Sequence, residues 1–384
     1  MIRRCSKRHL VSVLTVSLLA LTLVAAGCCQ KAAAPTPESS ATSGTTAPQE
    51  KVYKIGLLIP FTGVETHNGL SMLYGAQIGA DEVNADGGVK IELFSEDTQG
   101  SPDVAVQKAN KLLKENKVDA LVGTLSTAET YAVFDLAMKQ QVIFMNPPVI
   151  EYALKEANKK TIYFVGSDYV WPRGSIYAAK KAVQEFGGVV VGEEYTPFGT
   201  TDFSSIIRRI EASKADVVMP FVAGLDGVTF LKQFADFGLN KKMLVIGDYL
   251  DELIAPALSP DAMSGVINSS EYYMIIDTPG NRAFLQKLKA KDPKALMGNF
   301  GINMYHNVKL IGAAIRKAGS VETDDIIKAL EGMSIEGPLG KVTIDPVNHH
   351  AIQNVYVAEV QPDKSFKIIK TLEQVKPVIS DFKN

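Results

Sequence analysis

Cysteine is all but missing from this chain. Its three thiols, Cys5, Cys28 and Cys29, crowd the N-terminus, and residues 30–384 contain none. A disulfide within the body and a thiolate metal site are thereby excluded. Histidine is scarce too, the five being His9, His67, His306, His349 and His350. Only the last two are close in sequence, and neighbours on a strand face opposite ways, so a solvated turn is a better reading of them than a shared metal. No cofactor is expected. An excess of charge of one sign is also lacking, since 40 basic residues stand against 42 acidic ones for a net charge of -2. That balance gives nucleic acid nothing to hold. The signatures G-x-S-x-G, G-x-x-x-x-G-K-[ST] and H-E-x-x-H are absent, and no cysteine or histidine falls in the loops singled out below. With so few general bases the chain is expected not to be an enzyme, a secreted hydrolase run on carboxylates being the alternative.

Long apolar runs are missing with one exception. Overall hydrophobic content is an ordinary 46%, and charge interrupts most apolar stretches, which excludes both disorder and a polytopic membrane protein. The exception follows Arg3, Arg4, Lys7 and Arg8, running from Leu10 to Val24 before the small residues Ala25, Ala26 and Gly27. Positive charge, a short apolar stretch and small residues in that order predict a signal peptide over residues 1–27. The segment resembles a bacterial lipoprotein signal, with Ala25 where that motif usually has Leu. The resemblance implies cleavage before Cys28 and lipid on its sulfur; cleavage nearby without lipid is the alternative. Residues 28–51, rich in Ala, Ser, Thr and Pro, cannot bury a core and read as a lipid-anchored flexible linker. The body is then expected in water at the outer face of the cytoplasmic membrane.

A chain of 384 residues is long for one domain. Its body opens on the β-type run Tyr53–Pro60, followed by a helical stripe of Met72, Ala76, Gly79 and Val83. Strand-like runs recur at 91–96, 119–122 and 142–145, with helical stripes between them, and predict four βα units in one parallel sheet. A second series starts at Thr161–Val165 and continues through 189–195, 217–221 and 243–246, again with helices between. Helices near 281–291, 301–318 and 323–331 and β-like stretches near 341–345, 353–360 and 365–369 complete the body. The fold class is therefore α/β with parallel sheets. Ligands of such sheets sit against loops leaving the carboxyl ends of strands, here 60–63, 97–101, 123–127 and 145–150, then 166–173, 196–202, 221–226 and 247–251.

The words IGLLIPFTG, YGAQIGADEVNADGGV, VGSDYVWPRG, GEEYTPFGTTDFS, DTPGNRAF and IDPVNHH resemble type I periplasmic solute-binding proteins of the leucine/isoleucine/valine class. VGSDYVWPRG and NHH point within that class to the short-chain amide and urea-binding subgroup. The likeness covers roughly residues 52–370. It implies two Rossmann-like lobes joined by three crossovers, residues 52–157 plus 278–346 and residues 158–277 plus 347–384, closing on a small amino acid, amide or urea-like solute. It further implies a monomer that hands solute to an ABC permease and its ATPase, or a sensor subunit of the same fold.

Site residues carry over from that resemblance. Leu125, Ser126 and Thr127 match the place where hydroxyl and amide groups hold the ligand, although a Ser/Thr pair before a helical stripe is equally an N-cap. In the next loop amino-acid-binding members have a Thr near Ile150 and amide binders have aromatics; this chain has neither, so Leu125, Pro148 and Ile150 make an apolar wall. Trp171, the one tryptophan, falls where the class covers its ligand with an aromatic, the alternative being a packed loop residue. Tyr169 and Asp168 are further candidates, Asp168 also as a cap. Asp226 and Asp248 are placed to accept from an ammonium or amide nitrogen, or else are solvated carboxylates.

Overall fold

The computed structural model describes residues 51–63, 65–134, 143–144, 152–247, 250–376 and 378–379. In chain order these form β1 (Lys51–Ile59), α1 (Gly69–Asp86), β2 (Val89–Asp97), α2 (Pro102–Lys111), β3 (Ala120–Gly123), α3 (Thr127–Phe134) and β4 (Ile143–Phe144). There follow β5 (Thr161–Ser167), α4 (Val170–Glu185), β6 (Val189–Thr196), α5 (Ser204–Ser213), β7 (Val217–Phe221), α6 (Gly224–Asp236), β8 (Leu244–Gly247) and β9 (Ile267–Ser270). The remainder is α7 (Pro279–Lys291), α8 (Asn299–Ala318), α9 (Thr323–Leu330), β10 (Ser334–Gly337), β11 (Gly340–Ile344), β12 (Ala351–Val360), β13 (Phe366–Val375) and β14 (Val378–Ile379).

Two parallel sheets carry the body. The first runs β2-β1-β3, and the second runs β6-β5-β7-β8-β9 before antiparallel β12, β13, β11 and β10 extend it. The inner strands β1, β5 and β7 are buried on both faces, as expected for strands covered by helices on both sides, while the edge strands β2 and β6 expose one face. On β1, Tyr53, Ile55, Leu57 and Ile59 pack with Met72, Ala76 and Val83 of α1 and Val308 of α8, while Leu58 points the other way to Ala109 and Leu112. On β5 the alternation divides Ile162 and Phe164, which meet Ile176 and Ala179 of α4, from Tyr163 and Val165, which meet the core of α5 and α6.

Among the described residues of the expected fourth strand, Ile143 and Phe144 pair antiparallel with Ile379 and Val378 in a ladder separate from the first sheet. Besides the two residues of β14, two short strands have no strand-like signal in the sequence: β9 ends in the polar run Asn268-Ser269-Ser270, and β10 alternates exposed with half-buried residues, so neither shows an apolar run. Among the described residues no helix is long and apolar enough to cross a membrane. The signal segment, Cys28 and the linker as far as Glu50 lie outside the described residues, while Lys51, expected to end the linker, already opens β1.

Candidate functional site

Each sheet reverses its winding direction beside its first strand, β1 between β2 and β3, β5 between β6 and β7. A crevice opens at the carboxyl ends of the strands at such points. Across the second one the Ser167 hydroxyl accepts from the Ala223 amide at 3.0 Å. One cavity of about 500 Å³ is lined from both crevices. The turn after β1 supplies Glu65, His67 and Asn68, and the loop after β3 supplies Leu125, Ser126 and Thr127. From the second sheet come Tyr169 and Trp171 after β5, Ala223 and Gly224 after β7, Asp251 after β8 and Ser269 to Glu271 at the end of β9. Asn299, Phe300, Asn303 and Asn307 of α8 and Ala351, Gln353 and Val355 of β12 add to the wall.

Leu125, Ser126, Thr127, Tyr169 and Trp171 thus come together, as neighbours of one space, from segments more than 40 residues apart. Ser126 is bound to its own helix as well. Its hydroxyl accepts from the Glu129 amide at 3.2 Å, and the Glu129 carboxylate accepts from both the amide and the hydroxyl of Ser126 at 2.9 Å. This is a capping box, so the capping role is present alongside the cavity position. Trp171 likewise does two things: it lines the cavity and packs edge-on against Phe221, with ring centroids 6.1 Å apart. Tyr169 stands between it and Phe198, at 6.0 and 4.8 Å.

Asp226 does not line the cavity. From the first turn of α6 its carboxylate accepts from the Gly199 amide at 2.8 Å, so it fastens the loop after β6. Asp168 neither lines the cavity nor caps α4 with its side chain, because it pairs with Arg173 at 2.6 Å, and that guanidinium lies over the Tyr195 ring. Pro148, Ile150 and Asp248 lie outside the described residues.

Three groups were not anticipated. Against the expectation that no histidine enters the cleft, His67 lines it, because the turn after β1 continues past Gly63 through a 3₁₀ turn, Thr66–Asn68. Burial pulls the His67 imidazolium down to about 4, so the ring is neutral at pH 7. Burial also pushes the Glu65 carboxyl up to about 7 against a donor from Asn68, and the charges of Glu129 and Asp226 add to the rise. Asp251 is pushed up to about 6 by burial, although Leu253, Ile254 and Asn299 amides donate to it. That last bond ties the loop after β8 to the start of α8. No sequence pattern marked α8 or β9 as site elements, since β9 reaches the cavity by pairing with β8 and β12 and α8 by packing on α1.

A solvent-connected space between the carboxyl edges of two α/β sheets, walled by helix N-termini and carboxyl groups, is a binding site for a small solute. Comparison with known proteins agrees. Residues 52–151 and 147–365 match the family model described as periplasmic binding protein, and the chain belongs to that family. It is 28% identical over 343 residues to Leu/Ile/Val-binding protein homolog 6 of Brucella melitensis, covering 80% of this chain and 87% of that one. A solute-binding protein of an ABC transporter from Rhodopseudomonas palustris BisB5, solved with 3,4-dihydroxybenzoic acid, superposes with a TM-score of 0.76 at 25% identity, over 85% of this chain and 99% of that one. A leucine-binding protein from Thermotoga maritima superposes with a TM-score of 0.73 at 20% identity, over 84% and 99%. The type I periplasmic binding protein fold is the fold of this chain.

Proposed function

We propose that this protein captures a small zwitterionic solute, an amino acid with an aliphatic side chain, and delivers it to an ABC permease and its ATPase. The observation that carries the reading is the composition of the cavity wall. The N-terminal turns of α3, α4, α6 and α8 all border it, and the positive ends of their helix dipoles favour a carboxylate. Glu65, Asp251 and Glu271 line the same space, with no lysine or arginine among the described lining residues, and these favour a cationic nitrogen. Leu125, Trp171 and Phe300 offer apolar surface for the rest. Relatives named for leucine, isoleucine and valine support this reading. A benzoate-like acid is the second reading, favoured by Tyr169 and Trp171 and by the Rhodopseudomonas complex, but it leaves the carboxyl groups without a partner. Amides and urea lack a carboxylate for the helix ends.

In this proposal β2-β1-β3 belong to a lobe of residues 52–157 plus 278–346 and β6-β5-β7-β8-β9-β12-β13 to a lobe of residues 158–277 plus 347–384, with β10 and β11 of the first pairing onto β12 of the second, and the lobes close on the solute as a monomer. A thermal-shift panel of branched-chain amino acids, short amides, urea and 3,4-dihydroxybenzoate tests the solute class. The largest shift is expected from an amino acid, and that ligand is expected to reduce the radius of gyration. A larger shift with the benzoate or with urea would sink the reading. Trp171→Ala is expected to weaken the best ligand by about 1 to 3 kcal/mol through lost aromatic cover; unchanged affinity removes Trp171 from the site.

Attachment through Cys28 is part of the same proposal, supported by the signal pattern and by the absence of cysteine from residues 30–384. Fatty-acid labelling is expected in the wild type and not in Cys28→Ala. Equal labelling of both would overturn it.

A further inference from the structure

The turn between β1 and α1 holds a carboxyl group whose hydrogen-bonding capacity is largely unused. Glu65 is 8% exposed, yet it lines the solute cavity. Asn68 is the donor that reaches it, with Nδ2 at 3.4 Å from Oε2, a distance at the outer limit of a hydrogen bond. His67 stands 3.7 Å away but is uncharged at neutral pH. Its Nε2 lies 3.0 Å from Asn68 Nδ2, which can only donate, so the ring proton is assigned to Nδ1. Nδ1 is buried without a partner, so a second polar atom beside the cavity waits for one. The charges facing Glu65 from other elements have its own sign: Glu129 on α3 and Asp226 on α6. Asp226 is held by Gly199, and Glu129 by Ser126 through Oε2 alone, its Oε1 being buried without a partner. Asp251 and Glu271, across the same cavity, are acidic as well.

A buried carboxyl among like charges, short of donors and facing a space meant for solute, is suited to a group that brings both positive charge and N–H donors. We propose that Glu65 is a solute-contacting, specificity-determining residue that takes the cationic nitrogen of the solute and gives up its own proton in doing so, which makes capture depend on pH. This rests on the zwitterion reading above. The step balances simply: the carboxylic acid of the empty protein loses its proton to solvent, and the ammonium group, which keeps all its protons, replaces it as the partner of the oxygens.

The sign follows from linkage. Glu65 in the empty protein titrates at about 7, and binding selects its ionised form. Affinity is therefore full above pH 7 and falls by up to tenfold per unit below it, roughly 100-fold between pH 8 and pH 5. A free amino acid does not change charge over that range.

The test measures affinities of L-leucine, L-isoleucine and L-valine by calorimetry at pH 5, 6.5 and 8, for the wild type, Glu65→Gln and Glu65→Asp. At pH 6.5 the wild type is expected to release roughly three-quarters of a proton on binding, read from the difference between two buffers of unlike ionisation enthalpy. Glu65→Gln, whose neutral side chain fits the same buried place, should bind at least tenfold more weakly at pH 8 and release little proton. Its pH dependence between pH 5 and pH 8 should fall well below the roughly 100-fold of the wild type. Glu65→Asp should bind weakly but recover the pH dependence. Binding by the wild type with Glu65→Gln unchanged in affinity and pH profile overturns this proposal and leaves the amino-acid reading standing. Affinity that strengthens toward pH 5 also overturns it, because the carboxylic acid would then be donating to an acceptor on the solute. Failure of all three amino acids to bind the wild type at any pH overturns both.

Discussion

Replacing Gly75 by alanine is expected to destabilise the protein by about 3 kcal/mol or more and to weaken solute binding at the same time. Gly75 lies on α1 where that helix crosses α8. A Cβ there would fall inside the contact radius of the Gly301 carbonyl oxygen and 2.8 Å from its carbon, and a Cβ on Gly79, one turn further, would stand 2.9 Å from the Tyr305 oxygen. The obstacle is backbone rather than the end of a flexible side chain, so relief requires the two helices to move apart. Close-packed interiors resist that. The consequence reaches function because the same two helices carry cavity residues at their leading ends, Glu65 to Asn68 before α1 and Asn299 to Asn303 on α8. Urea denaturation and solute titration of Gly75→Ala check both effects. A variant within 1 kcal/mol of wild type would mean that the helices separate at little cost.

Such a contact cannot be seen in a sequence, and its invisibility explains which parts of the site were legible. The βα alternation is local: Tyr53, Ile55, Leu57 and Ile59 announce a strand by themselves, and Met72, Ala76 and Val83 announce the helix behind it. Given parallel strands, the carboxyl-end loops follow, and these loops hold Leu125, Ser126, Thr127, Tyr169 and Trp171, which the family resemblance singles out and which line one cavity. The rule says which loop faces the cleft but not which side chain turns inward. Asp226 shows the difference, since one helical step decides whether a carboxylate meets the cavity or the Gly199 amide. Ser126 shows another, because Glu129 three residues on was the readable sign of a capping box.

Residues supplied by distant returns of the chain left no local mark. Asn299, Asn303 and Gln353 reach the cavity because α8 packs on α1 and β12 pairs with β9, contacts that span tens to hundreds of residues. Glu65 and His67 are a different case. They sit two and four residues beyond the loop boundary set at Gly63, and a polar Glu-Thr-His-Asn run between a buried strand and a buried helix was itself a signal.

Glu252→Gln is expected to stabilise the protein at pH 8 and to lose that advantage by pH 4.5. The Oε1 atom of Glu252 accepts from the Met274 amide at 2.7 Å, while Oε2 is buried without a partner. Burial, reinforced by the charge of Asp251, pushes its carboxyl up to about 8. A carboxyl raised in the folded state binds its proton more tightly there than in the unfolded chain. Below about pH 4.5 both states are protonated and the group is neutral in the balance. As pH rises from there toward 8 the unfolded chain ionises first, so wild-type stability falls, by an amount on the order of 3 kcal/mol across the interval. Glutamine keeps the acceptor for Met274 and removes the titration, at the cost of about 1 kcal/mol for a buried amide donor without a partner. The net gain at pH 8 is then about 2 kcal/mol, and at pH 4.5 the variant is slightly the weaker of the two. Urea midpoints of the solute-free protein at both pH values read this directly, and a difference between variant and wild type that does not change with pH rules it out. Glu252 does not line the cavity, so solute affinity at pH 8 should survive the change, in contrast to the loss expected for Glu65→Gln.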